Sequence, residues 1–272
     1  MVNYDVEQVH KRIIKILLAV DKVCQEHNLT YYVWAGTMLG AIRHKGFIPW
    51  DDDLDIAMPR PDYDKLMECA SEWLPEQYEV VAFETDATYP LPFAKIQDAS
   101  TTLIERMHLK YLGGIYIDVF PIDGVPTNKL KRRLHFAKYE YWKRVLYLMY
   151  RDPYKHGKGP SSWIPLLCRK LYTLSGVQKK IRTLLRKYEY NKCDLVADYD
   201  DGMRGTMNKK ILGNPQLYSF DGENVKGVEL YDSYLTNKYG DYMTIPKDAD
   251  KRQHNFHYLD LETPYREYDE KK

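Results

Sequence analysis

Apolar residues at Val6, Val9, Ile13, Ile16, Leu17, Val20 and Val23 recur at steps of three and four. That spacing predicts one amphipathic helix over residues 5–27. The pattern then changes period. Tyr31-Tyr32-Val33-Trp34-Ala35 follows the breaker Asn28 and reads as a strand, Gly36-Thr37 punctuates it, and residues 38–44 form a short helix closed by Gly46. A strand over 54–58 is ended by Pro59 and Pro61, and Pro61 opens a helix to about residue 74. Strands are predicted at 78–84 and 92–98. The clearest alternation is Ile115-Tyr116-Ile117-Asp118-Val119-Phe120. From residue 128 the chain reads as two long basic helices, 128–150 and 163–190, around a loop at 152–160 rich in Gly and Pro. A last helix at 229–239 stops at Gly240.

Strands mixed with helices in this order predict an α/β (α+β) fold, a mixed sheet flanked by helices. Of the 272 residues, 44% are hydrophobic and 29% charged, a globular composition. No apolar run approaches the roughly 18 residues that span a bilayer. The first residues lack the basic and apolar regions of a signal peptide, so a cytoplasmic location is expected. Cys24, Cys69, Cys168 and Cys193 form no Cys-x-x-Cys pair, which argues against a zinc ribbon or a redox motif and for free, mostly buried thiols. The net charge of +1 conceals an asymmetry. Residues 128–190 hold 17 Lys and Arg against Glu140, Asp152 and Glu189. The basic segment is therefore expected to face a different partner from the acidic remainder.

The densest chemistry lies in Asp51-Asp52-Asp53-Leu54-Asp55-Ile56-Ala57-Met58. In a strand, Leu54, Ile56 and Met58 share one face and Asp53 and Asp55 the other. Two carboxylates about 4 Å apart repel by roughly 4 kcal/mol at an effective dielectric near 20, so a cation or a proton is expected between them. Oxygen ligands alone favour Mg²⁺ or Mn²⁺. Asp118 lies on a strand whose other face is Ile115, Ile117 and Val119, and an unpaired acid there is costly. A strand carrying Asp53 and Asp55 beside it would let three carboxylates share a metal. An EF-hand is excluded because Ile56 and Asp62 stand where Gly and Glu are required. Asp51 and Asp52 by themselves read equally well as a solvated turn.

Upstream, Ala35-Gly36-Thr37-Met38-Leu39-Gly40 joins a strand to a helix N-terminus, a setting that suits phosphate. A Gly-Thr turn, a short helix, an Asp-x-Asp strand and a distant strand with a third Asp together resemble the nucleotidyltransferase fold. The run from Gly36 through Arg43-His44-Lys45-Gly46-Phe47-Ile48-Pro49-Trp50 to Ile56 closely resembles the signature of the LicD family. These are bacterial phosphotransferases that place phosphocholine or similar groups on cell-surface glycans, and the fukutins are animal relatives. Phe93-Ala94-Lys95-Ile96-Gln97-Asp98, residues 115–124, residues 234–243 and Arg252-Gln253-His254 resemble later family blocks. The likeness spans most of 5–265 and is weakest over 145–210. The cysteines of the zinc-binding animal relatives are absent, so no zinc site is carried across.

The resemblance implies a nucleotidyltransferase-like catalytic core over 1–127 and a C-terminal part, 201–272, that completes it, and the change of character at 128 sets off a basic helical region over 128–200. It implies a CDP-linked donor, CDP-choline or another CDP-alcohol, and a sugar hydroxyl on a glycan or lipid-linked glycan as acceptor. Phosphoryl transfer needs alignment and charge neutralisation more than covalent chemistry. Asp53, Asp55 and Asp118 are then the metal-binding and catalytic residues, with Asp118 also placed to take the proton of the attacking hydroxyl. Gly36, Thr37, Arg43, His44, Lys95 and His254 are candidates for binding the nucleotide diphosphate. Two other readings compete: a nucleotidyltransferase that forms the CDP-alcohol, and a glycan- or lipid-binding module without activity. Nucleic acid is not an expected partner, since no known motif accompanies the basic segment. Two readings of that segment stay open: with Tyr139, Tyr141, Trp142, Tyr147, Tyr150 and Trp163 it contacts the inner face of the membrane peripherally, or it is a lid or dimer-forming helical pair whose basic face meets water or the acidic remainder of the chain.

Overall fold

A computed structural model describes residues 4–105, 112–155, 157–247 and 256–269. The chain opens with α1 (Val6–Glu26), whose Asp5 side chain accepts the Glu7 N–H at 3.0 Å as an N-cap. Its buried residues, from Val9 through Ile13, Leu17 and Val20 to Cys24, follow the predicted stripe. The helix ends at His27, and Asn28 turns the chain with φ 55°. Strand β1 (Tyr32–Val33) is shorter than expected, because α2 (Ala35–Arg43) already begins at Ala35 and takes in Gly36-Thr37. Next come β2 (Asp55–Pro59), α3 (Arg60–Trp73), β3 (Tyr78–Val81), β4 (Ala94–Ile104) and the long β5 (Gly113–Val125).

The basic segment forms α4 (Lys129–Tyr150), α5 (Pro160–Leu171) and α6 (Leu174–Leu185). The single helix predicted at 163–190 is thus broken. Tyr172 and Thr173 are extended, and the Thr173 hydroxyl restarts the helix by accepting the Gly176 N–H. After it lie β6 (Leu195–Asp198), β7 (Thr206–Asn208), the hairpin β8 (Gln216–Phe220) and β9 (Glu223–Gly227), α7 (Tyr231–Tyr239) and β10 (Tyr258–Asp260). Gly240, at φ 70°, ends α7 as predicted.

Among the described residues eight strands form one mixed sheet, in the order β1-β2-β5-β4-β10 with β3 on β4, and β6 and β7 following β5. β2 and β5 run parallel, whereas β4 and β6 are antiparallel to β5. The sheet's two faces differ. Ile115, Ile117 and Val119 point into the core under α1 and α3, where Arg12 of α1 lies 3.7 Å from Asp98 and Arg60 of α3 reaches Asp123. Helices α4 and α6 enclose a second cluster with Phe136, Tyr139, Ile181 and Leu185 at its centre, packed on Val125 and Ala197. Cys24 and Cys168 are buried, Cys69 and Cys193 are partly so, and all four are free thiols.

Candidate active site

The sheet face opposite the core gathers the acids. Asp55 of β2 stands in register with Asp118 of β5, and Asp118 in register with Lys95 of β4. One row across three strands therefore reads Asp, Asp, Lys. Backbone hydrogen bonds fix the row: the Asp118 N–H donates to the Leu54 carbonyl at 3.0 Å and the Trp34 N–H to the Asp55 carbonyl at 2.8 Å. Asp53 precedes β2. Its charge is the largest one acting on Asp55, followed by those of Asp118 and Asp51.

The electrostatics follow from that crowding. Burial comes first in lifting Asp55 well above the carboxylate range, and the neighbouring acids add to it, while Lys238 of α7 opposes them. Asp118 is pushed up to about 6, mainly by burial. Lys95 opposes this, its Nζ donating to Asp118 Oδ1 at 2.9 Å. Lys95 itself is buried over the Tyr116 ring and lies 3.6 Å from Glu105. Carboxylates held at raised pKa by one another retain a proton or take up a cation. All the donors here are oxygens, the set a hard divalent ion prefers, so the residues fit Mg²⁺ or Mn²⁺. Among the described residues no three of these side chains already converge as a formed metal cage.

The glycine turn packs against this row. Thr37 Oγ1 accepts the Asp55 N–H at 2.8 Å, so its oxygen holds the acidic strand in place. A Cβ on Gly36 would come within 2.8 Å of Asp51 Oδ2, and only glycine leaves that carboxylate its room. Ala35, at φ 44°, donates its N–H to the Tyr234 hydroxyl of α7. Arg43 turns away from the acids and donates to the Tyr242 and Thr244 carbonyls at 2.8 and 3.4 Å. His44 meets the Trp50 ring edge-on, and burial followed by the Arg43 charge lowers its pKa. His254 lies outside the described residues. Asp52 is no solvated turn residue: it is buried and accepts the Tyr4 hydroxyl.

Sequence reasoning did not single out the contribution of α7 and β6. Lys238 pairs with Asp201 and acts on Asp55, and the Tyr239 hydroxyl is raised by burial and then by Asp55, Asp201, Asp51 and Asp53. Asp198 accepts the Trp34 indole N–H at 3.0 Å and, pushed up to about 6 chiefly by burial, ties β6 to the glycine turn. A cavity of about 170 Å³ opens here, lined by Asp201, Arg204, Thr206, Met207, Asn237, Lys238 and Tyr239 among others. A wider groove of about 770 Å³ lies between α3 and β3, but it holds none of these residues, and its Asp64 and Glu84 are both ion-paired to Arg186.

The family described as LicD/FKTN/FKRP, nucleotidyltransferase domain, matches residues 28–147, the stretch that contains α2, β2, β4 and β5. Over 251 residues the chain is 29% identical to the lipopolysaccharide cholinephosphotransferase LicD of Haemophilus influenzae, covering 89% of this chain and 92% of that protein. Uncharacterized proteins of Rickettsia prowazekii and Rickettsia typhi are each 51% identical to it over 37 residues, 14% of this chain and 14% and 12% of theirs. The glycine turn and the paired Asp strands lie within the stretch matched by the LicD/FKTN/FKRP nucleotidyltransferase domain, and the likeness to LicD runs along most of the chain.

Proposed function

We propose that this protein is a LicD-type phosphotransferase that moves a phosphoryl-alcohol group, phosphocholine foremost, from a CDP-linked donor to a sugar hydroxyl of a cell-surface glycan or its lipid-linked precursor. The observation that carries the reading is the register of Asp55 with Asp118, which sets two acids of raised pKa side by side behind the glycine turn. The likeness to a lipopolysaccharide cholinephosphotransferase over nearly the whole chain supports both the reaction class and the choice of alcohol.

In this reading Asp53, Asp55 and Asp118 hold Mg²⁺ or Mn²⁺. A divalent ion held there would supply neutralisation of charge on the donor's diphosphate and on the departing CMP. The remaining work falls to the chain. Asp118, titrating near 6, is ionised at neutral pH and takes the proton of the attacking hydroxyl. Lys95 keeps Asp118 ionised and aimed, so it acts first on the base and only then on phosphate. Thr37 fixes the backbone of Asp55, and Gly36 leaves space at the helix N-terminus. Arg43 secures the segment at 242–244 and so shapes the site from outside.

The test is a screen of CDP-choline, CDP-glycerol, CDP-ribitol and CDP-ethanolamine for conversion to CMP with Mg²⁺ or Mn²⁺. Turnover of CDP-choline above the others is expected. Failure with all four in the presence of acceptor would overturn the reading.

A further inference from the structure

Helix α5 is built with its bulk outward. The positions it buries, Ser162, Pro165 and Cys168, are small and spaced by three. Its large residues Trp163, Ile164, Leu167 and Leu171 stand 66%, 59%, 54% and 61% exposed. Trp163, Leu167 and Leu171 recur every fourth residue and line one side of the helix, with Ile164 beside them. Scattered exposed apolar residues are ordinary, but these four, with Leu166 also exposed, make five large ones on a twelve-residue helix, a patch that asks for a partner. The surroundings are basic. From Arg151 to Lys187 the sequence has ten Lys and Arg and a single acid, Asp152, and Lys155, Lys158 and Lys170 are exposed.

We infer that α5 is a peripheral membrane anchor whose Trp163–Leu167–Leu171 side enters the headgroup layer of an anionic lipid surface, with Lys155, Lys158 and Lys170 against the lipid phosphates. Three observations choose this occupant. The basic rim complements an anionic surface, whereas a second copy meeting it by the same face would bring like charges together. The apolar residues project from a convex helix and do not line a groove, so they suit a deformable layer. A Trp among aliphatic residues flanked by Lys is the composition of helices that lie in the interface, and none of the described helices is long and apolar enough to cross it. The structure also shifts the contact from where the sequence put it. Tyr139 is fully buried and Trp142 and Tyr150 pack against the second core, so of the aromatic residues that the sequence offered only Tyr141, Tyr147 and Trp163 stand exposed, and Trp163 is the one set among exposed aliphatic residues on its own helix.

Co-sedimentation of the full chain with vesicles at low salt tests this, using phosphatidylcholine alone and phosphatidylcholine with phosphatidylglycerol. The protein is expected to pellet with the anionic vesicles only. The triple variant Trp163→Gln/Leu167→Gln/Leu171→Gln should partition at least about tenfold less while keeping its circular dichroism spectrum, since these side chains are exposed. Lys155→Gln/Lys158→Gln/Lys170→Gln should bind less and lose part of the salt dependence. In the wild type, anionic vesicles should shift tryptophan emission to the blue, and Trp163→Phe, which keeps the face apolar, should remove the shift. No pelleting of the wild type, undiminished binding of the triple variant, or an unshifted wild-type spectrum would each overturn the proposal. So would a wild-type dimer that the triple variant converts to a monomer, because the face would then join two copies. None of these residues belongs to the carboxylate row, so the outcome is independent of the donor screen.

Discussion

Replacing Asp123 by Asn should destabilise the protein severely, whereas the same change at Asp118, on the same strand, should leave the fold standing. Asp123 is completely buried, and both its oxygens accept from Arg60, Nε at 2.7 Å and Nη2 at 2.6 Å. Asn offers one acceptor, turns an NH₂ towards a guanidinium and leaves that cation without its counter-ion. Asp64 remains 3.2 Å from Arg60 Nη1, but Arg186 also claims it at 2.8 Å. Removing one partner of a buried pair costs about 3–5 kcal/mol, against a total stability of roughly 5–15 kcal/mol. In urea unfolding followed by circular dichroism, the midpoint should fall by about 1 M or more at unchanged slope. Arg60→Met/Asp123→Leu, which removes both charges, should recover most of the loss. A single variant within about 0.3 M of wild type, or a double variant no better than the single, would refute the assignment of Asp123 to structure.

Asp53→Asn and Asp55→Asn should each bring kcat below about a tenth of wild type, a loss above roughly 1.4 kcal/mol, and raise the melting temperature of the metal-free protein, because each removes a like charge from the crowded row; a calorimetric scan beside the CMP assay checks both. Lys95→Met removes the cation that lowers the Asp118 pKa, so Asp118 should titrate above about 6 and the acid limb of the pH–rate profile should move to higher pH; an unmoved limb contradicts the pairing. The His135 imidazole is pushed down from 6.5 to about 4, by burial first and then by Lys187 and Lys138. The unfolded chain then binds a proton that the folded one refuses, so wild type should lose up to about 3 kcal/mol as pH falls from 6.5 through 4, and His135→Asn should escape that loss; urea midpoints with equal acid slopes would refute it. Gly40→Ala should destabilise the signature loop, since its Cβ would lie 2.5 Å from the Gly46 carbonyl oxygen, an atom of the backbone; an unchanged melting temperature would contradict that contact.

The elements that the sequence foretold are those with a clean period. Alternation alone placed Asp55 and Asp118 on faces opposite Ile56 and Ile117, and the parallel pairing of β2 with β5 then set them side by side. What the period could not carry was the partner across the sheet. That Lys95 faces Asp118 depends on the β4–β5 register, which no local pattern encodes. Arg43, in the signature, reaches carbonyls 199 and 201 residues away. Lys238 and Tyr239 come to the acids only because α7 packs on α2, where Tyr234 receives the Ala35 N–H. Asp118 and Asp123 sit on one strand, yet an even and an odd position send one to the site and the other into the core beneath α3. The break at Tyr172-Thr173 was hidden because its cap is a single threonine between two helices of like composition.

Phosphorus NMR of one reaction follows the transfer of phosphocholine itself. CDP-choline, a saccharide acceptor and the protein are mixed with Mg²⁺, first with wild type and then with folded Asp118→Asn. Wild type is expected to form CMP and a choline-phosphate diester on the saccharide in equal amounts, chelating the metal to stop both, and the variant to form neither. A folded Asp118→Asn protein that still produces CMP and diester at the wild-type rate, or a wild type that leaves CDP-choline intact and instead releases pyrophosphate from CTP and phosphocholine, would contradict it.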